Sequence, residues 1–171
     1  EYHGIKNAEF YAISIEQLPE LGLEFDYINC DEVLYLLSDI VGGLRSMKAV
    51  LKPEGIIRAN LHSRLQREKY YRSQQIFKMM GLMEATPGET EIEIVRDIFK
   101  ALKDGLDIKI QTWKTDLENN EEYILANYLL QNDKGFTIPE MFSALQEADL
   151  DFISMVNWSN WDLMDLFKEP D

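Results

Sequence analysis

Over the first 61 residues, short apolar runs alternate with one helical periodicity. Residues 8–15, 25–30 and 56–61 are rich in β-branched and aromatic side chains, which predicts three strands. Between the second and third, Ser38 is positioned to cap a helix whose apolar residues recur at steps of three and four. These apolar residues are Val41, Leu44, Met47, Val50 and Leu51. A strand, a helix and a strand in this order predict a βαβ unit with parallel strands.

The middle of the chain has helical patterns. Residues 64–80 predict a helix that ends at Gly81, a residue type that commonly follows helix C-termini. Thr90 and Glu93 have the spacing of a capping box, which predicts the start of another helix. We therefore expect a helical insertion at about residues 64–104.

The last third returns to mixed α/β patterns. Thr137 and Glu140 have the spacing of another capping box. Residues 152–158 alternate between apolar and polar side chains, which predicts a strand, and residues 161–167 form a short amphipathic segment. The sequence predicts a single domain over residues 1–171, in the α/β class, with a mostly parallel sheet and flanking helices.

Composition restricts the classes of partner. Acidic residues outnumber basic ones by 31 to 17, so the 171-residue chain has a formal net charge of −14. Because such a surface repels phosphate backbones and anionic lipids, we expect no direct nucleic-acid or membrane partner. We also expect no signal peptide and no transmembrane segment. Cys30 is the one cysteine, which excludes an internal disulfide and indicates a cytoplasmic location.

Four short motifs occur in order at close spacing, and together they carry a family resemblance. They are EQLP at 16–19, FDYI at 25–28, VLYLL at 33–37 and LKPEG at 51–55. This series resembles the central region of the class I S-adenosylmethionine-dependent methyltransferases. The stretches ALKDG at 101–105 and GFTIPE at 135–140 resemble a bacterial subgroup of them that includes cyanobacterial proteins. The resemblance implies a Rossmann-like fold and S-adenosylmethionine as the cofactor.

The resemblance also implies where the cofactor binds, because ligands of open α/β sheets lie outside the carboxyl ends of the strands. Ser14 and Ile15 follow the first predicted strand and would border the adenine. Cys30 and Asp31 follow the second and would border the sulfonium and methionine part, and Val33 would supply apolar contact to the adenine.

Two residues are expected to face the methyl acceptor. His62 follows the third predicted strand, at the edge where the active site is expected, and Tyr35 lies in the VLYLL motif. His62 would act as a general base or orient the acceptor, and the alternative is a loop histidine that is hydrogen-bonded locally. We expect no metal site, because the chain has two histidines and no ligand spacing.

The sequence also departs from the family pattern. Ser14 stands where the family usually has an aspartate, and no G-x-G loop occurs in residues 1–171. We therefore expect the sheet to be incomplete on its N-terminal side, as in the carboxyl-terminal portion of a methyltransferase domain. We also expect the isolated chain to bind the cofactor poorly and to be inactive alone.

Other interpretations stay open at this stage. Cys30 is either a nucleophile or a buried structural thiol, and Asp31 with Glu32 either contacts the cofactor or caps a helix. The basic, aromatic stretch at residues 64–78 is either a lid over an anionic acceptor or a solvated helix face. The leading function is methyl transfer to a small-molecule or protein acceptor. The alternative is a non-catalytic acidic interaction module with a methyltransferase-like fold.

Overall fold

The computed structural model describes residue 4 and residues 6–166, and it has a mixed α/β fold with short parallel strands. The strands are β1 (Phe25–Cys30), β2 (Leu51–Ala59), β3 (His62–Ser63) and β4 (Gly135–Phe136). The helices are α1 (Ile40–Ala49), α2 (Glu68–Met79), α3 (Glu89–Ala101), α4 (Asp107–Thr112), α5 (Glu121–Tyr128), α6 (Ile138–Glu147) and α7 (Leu163–Leu166). Single 3₁₀ segments lie at Ile15–Leu21, Leu34–Leu36, Thr115–Leu117 and Trp158–Asn160.

The predicted βαβ unit is confirmed in β1, α1 and β2. The two strands are parallel, with Tyr27 opposite Ile56 and Cys30 opposite Ala59. The register shifts after Phe25, which pairs with Leu51, so β2 holds extra residues that include Pro53. Proline has no backbone N–H and does not continue a hydrogen-bonded ladder, which explains an irregularity at this position.

A second parallel pair, β3 with β4, brings two distant parts of the chain together. His62 lies opposite Gly135, and Ser63 lies opposite Phe136. The predicted third strand at 56–61 therefore differs from the structure, because β2 ends at Ala59 and His62 belongs to a separate sheet. The N–H of Arg64 donates to the carbonyl of Phe136, which keeps this segment extended. For that reason α2 begins at Glu68 and not at residue 64.

Two predicted strands are wrong. Residues 8–14 have no regular structure, and Ile15–Leu21 is a 3₁₀ segment that packs on α1. Residues 151–155 are also irregular, and a turn at 156–157 follows them. Within the described chain no strand pairs with either segment, and β-branched composition favours a strand only where a neighbour completes the ladder.

The helix starts are close to those predicted. Asp39, and not Ser38, caps α1 by accepting from the Gly42 N–H at 2.8 Å. The cap of α3 is Gly88, whose N–H donates to Glu91, so the predicted Thr90 box lies inside the first turn. The Thr137–Glu140 capping box at the start of α6 is confirmed.

Two apolar clusters hold these elements. The sheet-side cluster packs β1, α1 and the end of α6, and its buried members are Cys30, Leu34, Ile40, Leu44, Met47 and Ala148. The helical cluster packs α2, α3 and α5, and its buried members are Phe77, Ile92, Val95, Phe99, Trp113, Ile124, Tyr128 and Leu129. The helices of this second cluster continue to Tyr128, beyond the predicted end of the insertion near residue 104.

Gly135 allows β4 to approach β3, and this generates a stability prediction. A methyl group on Gly135 would lie 2.5 Å from Cα of Arg64 and 2.7 Å from the Tyr71 ring. We expect Gly135→Ala to lower the free energy of unfolding by about 1–3 kcal/mol, measured by urea denaturation. Gly105→Ala is the control, because no described heavy atom lies within 4 Å of that added methyl group. Equal stability of the two variants would contradict the close approach.

Candidate functional site

The loop after β1 crosses to the end of β2 and is held there by Asn60. The Glu32 backbone lies in the left-handed region, with φ of 58°, which is uncommon for a residue other than glycine. Asn60 accepts from the Glu32 N–H at 2.7 Å and donates to the Glu32 carboxylate at 2.5 Å. Next to it, Asp31 pairs with Arg58 of β2 at 3.1 Å. The carboxyl end of β1 is thus a loop fixed by polar contacts to β2.

His62 is held by a carboxylate from a distant part of the chain. Its Nδ1 lies 2.7 Å from Oδ1 of Asp133, 71 residues later. The Asp133 side chain has no exposed surface, and that of His62 is 16% exposed. Because an ionised carboxylate only accepts hydrogen bonds, Nδ1 carries the proton and donates it. Nε2 is then the ring nitrogen that is available to take a proton.

Asp133 is surrounded by donors from α2 and the turn before it. Arg67 donates to Oδ2 at 2.9 Å, Gln74 donates to the same oxygen at 3.2 Å, and the Tyr71 hydroxyl reaches Oδ1 at 3.4 Å. Burial by itself raises the pKa of Asp133, but the hydrogen bonds from His62 and Gln74 and the charge of Arg67 outweigh it. The pKa of Asp133 therefore lies below its ordinary value, and the group is ionised near neutral pH.

Tyr35 packs face to face on His62. The ring centroids lie 3.7 Å apart at an angle of 21°, and Tyr35 is 3% exposed. Its hydroxyl donates to Oε2 of Glu32 at 2.7 Å, and the same oxygen lies 3.8 Å from Nε2 of His62. Burial and this hydrogen bond raise the pKa of Tyr35, so its phenol stays protonated. Tyr35 thus fixes the plane of the imidazole and the position of Glu32.

A cavity of about 420 Å³ opens beside His62, where the two apolar clusters meet. Leu61 on one wall packs against the sheet-side cluster, and Tyr70 and Tyr123 on the other pack against the helical cluster. The complete lining is Leu61, His62, Ser63, Gln66, Arg67, Tyr70, Lys114, Leu117, Tyr123 and Asn127. A volume of this size is within the range of small-molecule sites.

Comparison with known proteins identifies the family. Residues 1–128, three quarters of the chain, match a family model described as a methyltransferase domain. The chain belongs to this methyltransferase domain family. The resemblance inferred from the four motifs is thereby confirmed, as is the mixed α/β fold that it implies.

A curated relative of this methyltransferase domain has no assigned activity. It is an uncharacterized protein of Synechococcus sp., 24% identical over 149 residues. The match covers 87% of this chain and 33% of the relative. The chain thus spans about a third of the length of that relative.

The residues predicted to hold the cofactor are placed in two regions. Asp31 and Val33 lie in the loop after β1, where Val33 is 41% exposed. Cys30 ends β1, but its thiol is buried in the sheet-side cluster, and burial raises its pKa. Such a thiol is a poor nucleophile, which favours the structural interpretation of Cys30.

Ser14 and Ile15 are not at the end of a strand, because the strand predicted at 8–15 does not form. Ile15 packs against the sheet-side cluster beside Gly43 of α1 and Leu34. Ser14 is exposed, and its N–H donates to the Gln17 side chain at 3.1 Å. Both residues border a second cavity, of about 460 Å³, which also contacts Phe25 at the start of β1.

Sequence reasoning missed Asp133, Arg67 and Asn60. Asp133 stands in the polar run QNDKG before β4, a composition typical of a turn, and only its burial distinguishes it. Arg67 lies in the basic stretch that was interpreted as a lid or a solvated face, but its side chain is 14% exposed. The hydrogen bond of His62 is not local in sequence, because its partner is 71 residues away.

Neither a metal site nor a membrane-spanning helix is found in the part of the chain that the structure describes. Among residues 4 and 6–166, no group of three or more His, Cys, Asp or Glu side chains is arranged to hold a metal ion. In the same part of the chain, no helix has the length and apolarity that crossing a membrane requires.

The buried carboxylate generates a second prediction. Asp133→Asn removes the charge that compensates Arg67, and we expect it to lower the free energy of unfolding by about 3 kcal/mol near neutral pH. Asp149→Asn is the matched control, because the Asp149 carboxylate pairs with Lys48 but is 95% exposed. Exposed pairs contribute little, so the control variant should stay close to the wild type.

The pH dependence of the stability of wild type and of Asp133→Asn tests the ionisation of Asp133. Because its pKa in the folded protein is below the unfolded value of about 3.9, its stabilising effect is complete above that pH and is lost as the pH falls through the folded pKa. The stability difference between wild type and Asp133→Asn should therefore be constant near neutral pH and shrink in acid. A difference that grows in acid would show that Asp133 is protonated in the native state.

Proposed function

We propose that this domain transfers a methyl group from S-adenosylmethionine to an acceptor that binds in the cavity beside His62. The acceptor atom is a nucleophilic O, N, C or S of a small molecule or a protein side chain. The observation that carries the proposal is the pairing of His62, which lines the cavity, with the buried Asp133, because it holds the proton on Nδ1 and leaves Nε2 to act as a base. General-base catalysis requires such a group within reach of the acceptor proton.

The loop after β1 fits part of the proposed cofactor. Asp31 and Glu32 place two carboxylates at the carboxyl end of the strand, with side chains 43% and 66% exposed. Val33 adds an exposed apolar surface next to them. Carboxylates suit a sulfonium cation and an apolar side chain suits an adenine ring, so this loop would hold those parts of the molecule. Ile15, packed close to the same loop, would extend the apolar contact, with Ser14 at the adenine edge.

Each residue of the site would have one role in the proposed reaction. When bound, S-adenosylmethionine supplies an electrophilic methyl group and its own leaving group. His62 takes the proton that the acceptor atom loses, and Asp133 stabilises the resulting imidazolium. Tyr35 holds the imidazole ring in its plane, and the cavity walls position the acceptor, which is the larger part of such catalysis.

The isolated chain is expected to bind the cofactor weakly. Class I methyltransferases approach the methionine moiety with a glycine-rich loop, and residues 1–171 contain no G-x-G sequence. We therefore propose that the 171-residue chain by itself has little activity. With a net charge of −14 and one buried cysteine, we also propose a bacterial cytoplasmic protein without direct nucleic-acid or membrane partners.

A second candidate function is a non-catalytic interaction module. It is favoured by exposed apolar side chains on the β1–β2 pair, where Tyr27 and Ile56 lie opposite each other and are 55% and 49% exposed. Phe10, which is 92% exposed, adds to the exposed apolar surface of the chain. Exposed apolar surface of this kind often marks an interface. Cofactor binding distinguishes the two functions, because a pure interaction module has no need of it.

Cofactor binding is tested with S-adenosylhomocysteine in the protein encoded by the complete gene, by NMR titration so that weak binding is measurable. We expect Asp31→Asn to raise Kd about tenfold, because one charged contact is lost. Asp26→Asn is the matched control, since Asp26 lies on β1 and, like Asp31, pairs with a β2 cation, in its case Lys52 at 2.8 Å. Equal effects of the two substitutions would remove Asp31 from the site, and no binding by wild type would favour the interaction module.

The role of His62 is tested by turnover in the protein encoded by the complete gene. We expect His62→Asn to lower the rate of methyl transfer by about 10²–10⁴-fold, with S-adenosylhomocysteine affinity unchanged, because the base is lost and the cofactor site is not. The assay measures S-adenosylhomocysteine formed with a panel of oxygen, nitrogen and sulfur nucleophiles. An unaltered rate would exclude His62 as the base.

A further inference from the structure

The charges around the cavity beside His62 have an unusual sign for this chain. The protein has 31 acidic and 17 basic residues, yet the cavity lining includes Arg67 and Lys114 and no aspartate or glutamate among the described residues. Asp133 lies behind the wall and compensates Arg67. Lys114 makes no ion pair with any described residue, so the wall retains one net positive charge.

Arg67 is held by hydrogen bonds from three of its five N–H groups. Its terminal nitrogens donate to Asn127 at 3.1 Å, to the carbonyl of Ala126 at 3.2 Å and to Asp133 at 2.9 Å. Of the two N–H groups that these bonds leave, the one at Nε is buried and has no partner among the described residues. Arg67 is therefore a fixed cation whose charge is already paired with Asp133, and an anion in the cavity would meet it in an unchanged position.

The other walls are apolar or neutral. Tyr70 and Tyr123 line the cavity, and their hydroxyls both donate to the carbonyl of Thr112. Leu61 and Leu117 complete the apolar part, and Gln66 adds an amide. A ligand that fits this lining has one anionic group, apolar or aromatic surface for the tyrosines and leucines, and polar groups that reach Ser63, Gln66 and Asn127.

We propose that the cavity between β3, α2 and α5 binds a small organic anion, with its carboxylate or phosphate at Lys114 and Arg67 and its apolar body against Tyr70 and Tyr123. The inference rests on the proposed function, because this anion would be the methyl acceptor beside His62. It assigns a substrate class, since a volume of about 420 Å³ suits a small molecule and not a folded protein surface.

The test measures binding without any cofactor. The probes are benzoate, its neutral analogue benzamide, and inorganic phosphate, each titrated into the protein and followed by NMR. We expect benzoate to bind at least about tenfold more tightly than benzamide, and its affinity to fall with rising ionic strength. Tighter binding of benzoate than of phosphate assigns a carboxylate, and the reverse order assigns a phosphate. Benzamide binding as tightly as both anions would overturn the inference.

Lysine variants locate the anion. We expect Lys114→Gln to weaken binding of the tighter anion about three- to tenfold, and Lys114→Arg to restore most of it. Lys103→Gln is the charge-matched control, because Lys103 is exposed and does not line the cavity. Equal losses in Lys114→Gln and Lys103→Gln would show a general charge effect and overturn the site.

The outcomes separate this inference from the proposed function. If benzoate or phosphate binds at Lys114 while S-adenosylhomocysteine does not bind the protein encoded by the complete gene, the proposed methyl transfer is wrong and the anion site stands. If S-adenosylhomocysteine binds and neither anion does, the anion site alone is wrong.

Discussion

The rest of the site depends on one buried charge, the carboxylate of Asp133. A carboxylate without exposed surface is stable as an anion only when it is paired and hydrogen-bonded. Its donors come from two other parts of the chain, His62 in β3 and Arg67 with Gln74 at the start and in the middle of α2. Satisfying this one group therefore joins the sheet-side cluster to the helical cluster.

The same constraint shapes the cavity. Because His62 and Arg67 both turn toward Asp133, their outer atoms form part of one wall where the two clusters meet. Tyr35 continues the arrangement toward the loop after β1, stacking on His62 and bonding to Glu32. His62, the cavity and the end of β1 are thus connected by a continuous set of contacts.

Local sequence patterns predicted the elements whose stabilising contacts are local. The helix after Asp39 and the capping box at Thr137 and Glu140 agree with the structure because their hydrogen bonds lie within a few residues. The strand at 25–30 also agrees, and its partner β2 follows after one helix in the predicted βαβ unit. The strands predicted at 8–15 and 152–158 did not form, since a strand depends on a neighbour that local composition does not specify. Among the seven predicted site residues, Asp31, Val33 and Cys30 lie at or just after the end of β1, as the sequence predicted. The predicted positions of Ser14 and Ile15 relied on the strand at 8–15, which does not form.

The sequence by itself determined the α/β class, the methyltransferase family through four motifs in order, and the acidic surface. Only the tertiary structure decided that His62 is paired with Asp133, that Tyr35 lies buried against the imidazole and that Arg67 faces a cavity. The physical reason is the sequence separation over which each interaction acts. Capping and periodicity act over three or four residues, whereas the burial of a charge selects its partners through space, here across 71 residues of chain.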